Sequence, residues 1–436
     1  MQTKGKIAFT VVVNVCRFVL ALTLMASGFV KAVDPVGSMY KLQEYTSVLA
    51  VDMFSDDWLL FFSIVQAAIE FLVGVFLFMG VYRKFMAALS FFIMLFFTLF
   101  AMFVTIDSTV EDCGCFGDAF ALSNSGTLIK NIILLTLSAV VLYGSRRFVW
   151  CITSVSRWMV AIFSFFYIAT VEGVSLSALP VLDFRPYAVG NNLREMIDDV
   201  PEVYELRHVY SKDGVTQEFI GDSLPDNSWT LVDTYSQLVS EGKQSLISDF
   251  AIIDWNTDED IARELLADTG YVCIVAIEFV DKAEVSRVDK INDLYDYCAE
   301  KGVPFFAATA SSEDEILLWR RRTGAEYPIY WADNMMLRTM VRSNPGVLLL
   351  RDGVVAAKWD AAGIPDIDQF SQSPTGMPDK LSGIVDRMRG WNFWVIALFV
   401  PLGFIALFDF VVSLSRRRRS VANNAGKVDD KIEIVD

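Results

Sequence analysis

The sequence predicts a bundle of six membrane-spanning helices joined to an α/β domain outside the bilayer. Three observations carry that reading. Hydrophobic residues make up 54% of the 436, with 34 phenylalanines, too apolar for an ordinary soluble enzyme. Six runs approach or exceed the roughly 20 apolar residues a helix needs to cross a bilayer: 7–30, 58–80, 85–106, 128–144, 158–179 and 391–414. Basic residues collect at alternate ends of these runs.

Taken in order, Lys4 and Lys6 precede the first run, and Arg83 and Lys84 lie between the second and third. Arg146, Arg147 and Arg157 lie between the fourth and fifth, and arginines at 416–419 follow the sixth. The positive-inside rule then puts both termini in the cytoplasm and the long segment 180–390 in the periplasm of an inner-membrane protein. The first run is long and continues to Lys31 without a convincing cleavage site, so it reads as a retained helix and not a signal peptide. The fourth run is the shortest and carries Lys130 and Asn131 near its start.

The formal net charge is −16, and 180–390 carries essentially all of it. Such acidity argues against nucleic acid or anionic lipid as a partner of that domain; solubility is its ordinary role. The arginines at 416–419 read as a stop-transfer anchor near lipid headgroups, and 420–436 as a polar, disordered tail.

The outer segment begins with a β-rich lead-in, 181–248, with short β-like pieces such as 216–220. From 249 the pattern becomes α/β. A buried-strand run at 271–280 is followed by helical spacing over 284–301, with Ile291, Leu294 and Cys298 on one face. Another strand, 303–309, precedes a helix over 312–323 that opens with the cap signal Ser312-Glu313-Asp314-Glu315. Strands at 346–351 and 354–359 flank the hairpin signal Arg351-Asp352-Gly353.

Chemistry is concentrated between the third and fourth runs, in Asp112-Cys113-Gly114-Cys115-Phe116-Gly117-Asp118. Two thiols one residue apart, with Gly114 easing the turn, form a candidate redox pair; a structural staple or two idle thiols is the plainer alternative. Other chemistry is largely excluded. One histidine, His208, rules out a bis-histidine haem or a histidine-rich metal cluster, and two loop cysteines are too few for a closed zinc site unless carboxylates complete it. There is no phosphate loop, dinucleotide fingerprint or nucleophile–histidine–acid set. Cys16 and Cys151 fall toward the cytoplasmic side, away from the loop.

The order of motifs over 11–143 resembles the DoxX and MauE families of four-helix membrane proteins. The resemblance rests on Arg17, Ser27-Gly28-Phe29-Val30-Lys31 and Asp34-Pro35; on Glu70, Gly74, Gly80 and Arg83; on Cys113-Gly114-Cys115-Phe116-Gly117; and on Asn131. It implies redox coupling: MauE-like proteins are linked to disulfide formation in a periplasmic partner enzyme, and DoxX-like relatives to quinone-coupled sulfur oxidation. In the outer domain, Ser343-Asn344-Pro345-Gly346-Val347 resembles the cis-proline strand of thioredoxin-like proteins. Asp249-Phe250-Ala251-Ile252 resembles the entry strand of their peroxiredoxin and thiol–disulfide-reductase branch. Where such domains carry an active cysteine, this chain has Asp281-Lys282-Ala283-Glu284. Cys273 and Cys298 are expected as core residues, with a buried disulfide between them left open. The expected fold is therefore an α-helical membrane bundle, a four-helix DoxX/MauE-like core plus two further transmembrane helices, with an α/β thioredoxin-like extracytoplasmic domain. Its divisions are 1–147, the fifth helix in 148–180, the lead-in 181–248, the thioredoxin-like domain 249–389, the sixth helix in 390–415, and the tail 416–436.

Four charged residues in the membrane part are candidates for a cofactor or substrate site: Arg17, Lys31, Glu70 and Lys130. Counting along the helices at about 1.5 Å per residue puts Arg17 and Glu70 both near mid-depth, where unpaired charge is costly, so an Arg17–Glu70 ion pair is expected. It reads either as a structural clamp or as the lining of a quinone or substrate cavity. Lys31 and Lys130 fall near the outer surface beside the cysteine loop, where they would lower a thiol pKa against Asp112 and Asp118, or simply snorkel to the interface. Two function classes stay open. One is a membrane thiol–disulfide redox protein in which Cys113 and Cys115 pass electrons to a membrane quinone. The other is a non-enzymatic anchor whose outer domain binds an envelope client.

Overall fold

The computed structural model describes residues 2–48, 54–107, 123–197, 203–212, 215–220, 228–240, 245, 247, 250–267, 270–371, 377 and 390–432. The chain forms two compact units, Met1–Phe184 with Leu381–Asp436, and Arg185–Lys380.

In the first unit, all six apolar runs are helices: α1 (Gln2–Val33), α3 (Asp56–Met79), α4 (Arg83–Asp107), α5 (Asn124–Tyr143), α6 (Arg157–Ser177) and a C-terminal helix, Trp391–Ile432. Each is long and apolar enough to span a membrane. A helix satisfies every backbone polar group internally, which hydrocarbon demands. The α3–α4 turn needs only Gly80–Tyr82 because Gly80 adopts φ 67°, and its N–H closes on Leu77 O. The C-terminal helix runs on through the arginines to Ile432, past the expected start of a disordered tail. Once a helix is nucleated by its apolar part, each further residue adds a hydrogen bond at little extra cost.

A further helix, α2 (Pro35–Val48), fills the segment that hydropathy left as a plain connection. Its start is chemically specified. Asp34 Oδ1 accepts from Gly37 N at 2.8 Å, and Pro35 takes the first helical position, where a missing N–H costs nothing.

α1 and α3 lie backbone to backbone. A Cβ placed on Gly28 would stand 2.4 Å from Phe71 N, and one on Gly74 would stand 2.6 Å from Met25 N. Small residues at such points allow dispersion contacts that larger ones would block. On the other flank, Phe71 stacks on Tyr167 of α6 at 5.5 Å, and the Tyr167 hydroxyl donates to Trp394 O at 2.9 Å. Asp409 of the C-terminal helix accepts from Thr153 N and Oγ1 at 3.1 and 2.5 Å. These contacts seat the last two spans.

The second unit begins with α7 (Leu193–Ile197) and a three-stranded antiparallel sheet of β1 (Val203–Lys212), β2 (Val215–Ile220) and β3 (Thr230–Ser240), in the order β2-β1-β3. A six-stranded sheet follows, built from β4 (Ile252–Ile253), β5 (Tyr271–Ile277), β6 (Phe305–Thr309), β7 (Ile329–Ala332), β8 (Gly346–Arg351) and β9 (Val354–Asp360). Its order is β4-β7-β6-β5-β8-β9. β5, β6 and β7 run parallel, β8 runs antiparallel to β5, and β9 runs antiparallel to β8 and so along β5 again. Among its helices, α8 (Ala262–Ala267) precedes β5, α9 (Val288–Lys301) links β5 to β6, and α10 (Glu313–Thr323) links β6 to β7.

The expected turn chemistry is present. Asp352 and Gly353 take φ 54° and 78°, the paired left-handed geometry of a two-residue hairpin, and the Asn344–Pro345 bond is cis. Ser312 and Glu315 form a capping box, and those bonds hold the Glu315 carboxyl below its usual range. Cys273 and Cys298 are unlinked and fully buried, and burial pushes the Cys273 thiol well up, so both behave as core residues.

Gly28→Leu should destabilise the bundle by about 3 kcal/mol or more, because the side chain meets backbone and cannot be relieved by a rotamer change. Gly173→Leu, with nothing within 4 Å of the new Cβ, should be close to neutral. Thermal unfolding of the two variants in detergent checks this; equal midpoints would refute the close contact.

Candidate functional site

The α1–α3 contact decides which side chains meet. Ser27 and Lys31 share one face of α1 at i, i+4, and Ser63, Gln66 and Glu70 share one face of α3. At the level of Gly28 these faces meet. Glu70 is buried, at 1% exposed, and its carboxylate is fully engaged. Oε1 accepts from Lys31 Nζ at 2.6 Å and Gln66 Nε2 at 3.1 Å, and Oε2 accepts from Ser27 Oγ at 2.7 Å.

The ion pair borders a cavity of about 290 Å³ enclosed by five helices. α2 contributes Lys41 and Tyr45, α4 contributes Met94, Phe97 and Phe100, and α5 contributes Lys130, Asn131 and Leu134. The walls are fixed by their own contacts. Tyr45 and Phe100 meet edge to face at 4.8 Å, and Asn131 Nδ2 donates to Phe97 O at 3.2 Å. The Lys31 ammonium lies 5.1 Å from the Phe97 ring centroid. An ammonium has three donors, and among the described residues Lys31 places only one, on Glu70. A small, mostly apolar chamber with a few convergent polar groups is the usual form of a small-molecule site.

Three of the four candidate residues, Lys31, Glu70 and Lys130, thus line one cavity. Arg17 does not, and the expected Arg17–Glu70 pair is absent. Arg17 Nε, Nη2 and Nη1 donate to the carbonyls of Leu77, Phe78 and Val149 at 2.8, 2.8 and 2.7 Å, and Nη1 also reaches Asn14 Oδ1 at 3.2 Å. The rings of Phe18 and Phe148 lie 4.7 Å from the guanidinium carbon. The physical reason is register. Gly28 and Gly74 put Ser27 opposite Glu70, so Arg17, ten residues or about 15 Å earlier along α1, falls at the last turn of α3. The C-terminal carbonyls there carry the negative end of the helix dipole and serve as counter-charge. Counting depth from the ends of apolar runs has no access to that register. For the same reason the expectation of Lys31 as a snorkelling surface residue is overturned: it is 7% exposed and paired inside.

The cysteine pair, Cys113 and Cys115, lies outside the described residues. The ends of the segment holding it are described, and they meet: Thr105 Oγ1 of α4 donates to Asn124 O of α5 at 3.3 Å. Lys130 follows Asn124 by six residues, about 9 Å along α5. Ser27, Gln66, Tyr45 and Phe97 were not legible as site residues, though the i, i+4 pairings of Ser27 with Lys31 and Gln66 with Glu70 are visible in the sequence once Glu70 is singled out.

Glu70→Met should cost about 3–5 kcal/mol by leaving the Lys31 ammonium buried without its partner, whereas the Lys31→Met/Glu70→Met double variant should recover most of the loss. A double-mutant cycle of unfolding midpoints in detergent measures the coupling; strict additivity would refute it.

Comparison with known proteins separates the two units. Nothing among curated proteins or solved structures matches the chain. In the second unit, residues 204–241, which span β1 to β3, match a family described as a domain of unknown function (DUF8463). In the first unit, residues 9–144 carry α1 to α5 and the whole lining of the cavity, and this segment is similar to the family described as Methylamine utilisation protein MauE.

Proposed function

We propose that the chain is a membrane thiol–disulfide redox protein whose cavity takes a quinone ring and whose Cys113–Gly114–Cys115 segment exchanges electrons with an envelope client. The observation that carries this reading is Lys31: a buried ammonium, held by Glu70, that lines an aromatic-walled cavity with donors to spare. A quinone carbonyl accepts from such a donor, and the ring packs against Phe97 and Phe100. The reaction balances without a further reagent. The Cys113–Cys115 disulfide takes two electrons and two protons from a client dithiol, giving a client disulfide. The resulting Cys113–Cys115 dithiol then passes two electrons and two protons to the quinone, giving quinol. The joined ends of α4 and α5 support placing that segment on the helices that line the cavity.

A specific observation favours a second, non-enzymatic role for the outer unit. The strand order β6-β5-β8-β9 and the Asn344–Pro345 segment support a thioredoxin-like reading. The corner after β5, however, carries no thiol and is filled by the domain's own bonds. Glu278 pairs with Arg338 at 2.6 Å, Glu284 N donates to Asn344 O at 2.9 Å, and Asn344 Nδ2 donates to Phe279 O at 2.9 Å. This unit would recognise a client without thiol chemistry.

With the full chain in lipid nanodiscs, dithiothreitol as donor and decylubiquinone as acceptor, quinol formation should proceed, and Cys113→Ser or Cys115→Ser should abolish it. Lys31→Met should raise the quinone KM about tenfold or more, the worth of one charge-assisted hydrogen bond. Full quinone reduction by the serine variants would overturn the redox reading and leave the binding role.

The basic residues at the ends of the spans support cytoplasmic termini with 180–390 outside. Phosphatase fusions should be active after residue 185 and inactive after Arg147; activity after Arg147 would refute this topology.

A further inference from the structure

Among the described residues, neither edge of the three-stranded sheet is paired, and the two edges are unlike. β2 has six residues; β3 has eleven, every one of them exposed. Among the described residues, nothing pairs with the outer edge of β3, the last strand in the order β2-β1-β3. A long free edge is a template for another strand, and proteins that stay single blunt it with charge, proline, a covering element or bulges, which in β3 are confined to the two ends. β3 contains neither lysine nor proline. Its only charge is Asp233, in a domain that is otherwise strongly acidic.

Its chemistry also reads the same from both ends. Around Tyr235, Thr234 mirrors Ser236, Asp233 mirrors Gln237, Val232 mirrors Leu238, Leu231 mirrors Val239, and Thr230 mirrors Ser240. We propose that β3 pairs with β3 of a second copy of this chain, antiparallel, about a two-fold axis through Tyr235, joining two three-stranded sheets into one of six.

In that register hydroxyls face hydroxyls, Asp233 faces a neutral amide that donates to it, and the aliphatic doublets Leu231-Val232 and Leu238-Val239 close over both ends. No like charges meet. A slip of one residue sets Asp233 against Leu238 and moves every side chain to the wrong neighbour, so the pattern specifies one alignment. Register shifts against β1 bracket the straight middle of the strand, Asp233–Leu238, and the ladder uses the part of it that is symmetric about Tyr235, residues 233–237. The Tyr235 hydroxyl leans back across its own sheet to donate to Glu218 at 3.0 Å, and Arg207 holds the same carboxylate at 3.3 Å. The ring is thereby aligned along its own sheet. A two-fold contact is isologous and closed, and it is a symmetry that two copies inserted the same way in one bilayer can share.

Cysteine scanning in the full chain, in native membranes under mild oxidation, tests the register. Residue 235 would face itself, at a spacing that suits a disulfide, so Tyr235→Cys alone should give a covalent dimer that the wild-type chain does not. Asp233→Cys and Gln237→Cys should each stay monomeric alone and should cross-link when the two variants are co-expressed, because 233 faces 237. Tyr235→Lys, which sets two ammonium groups on the axis, should halve the detergent-corrected mass seen by light scattering. A failure of the 233/237 pair to cross-link, or equal cross-linking of Asp233→Cys alone, would overturn the proposal even if Tyr235→Cys failed to fold.

Discussion

The closeness of α1 and α3 at Gly28 and Gly74 governs the membrane part of this molecule. Contact at backbone distance leaves no room for the helices to slide or rotate, so a single alignment is selected. Everything polar inside the bundle follows from it. Ser27 and Lys31 arrive at Glu70, Arg17 arrives at the final carbonyls of α3, and Phe71 is turned toward Tyr167. Charges in an apolar bundle are tolerable only when partners are already in place, and here the partners are placed by residues that carry no charge themselves.

The two buried cations of α1 are neutralised in different ways. Lys31 meets a full carboxylate and sits at the edge of a chamber; Arg17 meets neutral partners, namely backbone carbonyls, the Asn14 amide oxygen and two aromatic faces. Arginine suits the second setting because its planar fork reaches several carbonyls at once, while a lysine would satisfy one or two. The same cation ties the stretch after α5 to α1 and α3 through Val149 O. The division of labour is spatial: one cation ties three segments of the bundle together, and the other borders its cavity.

How much of this was legible varies by interaction range. The six spans and the strand–helix succession from 271 to 360 depend on local pattern, and they are read correctly to within a few residues. α2 was missed because its apolar content is low, although Asp34-Pro35 is a complete start signal. Glu70, Lys31 and Lys130 were recognisable as candidate site residues, yet the partner assigned to Glu70 was wrong and Lys31 was expected at the surface. Helix register is a tertiary property set at Gly28 and Gly74, and counting from the end of a run cannot recover it. The corner after β5 was identified as lacking a thiol; that its polar groups bond to one another instead, through Arg338 and Asn344, depends on residues some sixty positions apart.

The seating of the C-terminal helix has a consequence for how such a chain can change over time. Tyr167 holds Trp394, and Val181 and Leu182 pack into the same cluster as Trp394 and Leu398. The chain between α6 and the C-terminal helix is therefore a closed loop of about 200 residues anchored side by side at both ends. The entropy of closing a loop grows only with the logarithm of its length, about 0.6 kcal/mol for each doubling. The helix pair is in effect a socket: a shorter, longer or altogether different extramembrane unit can be spliced between these two spans while the cavity-bearing bundle keeps nearly all of its stability.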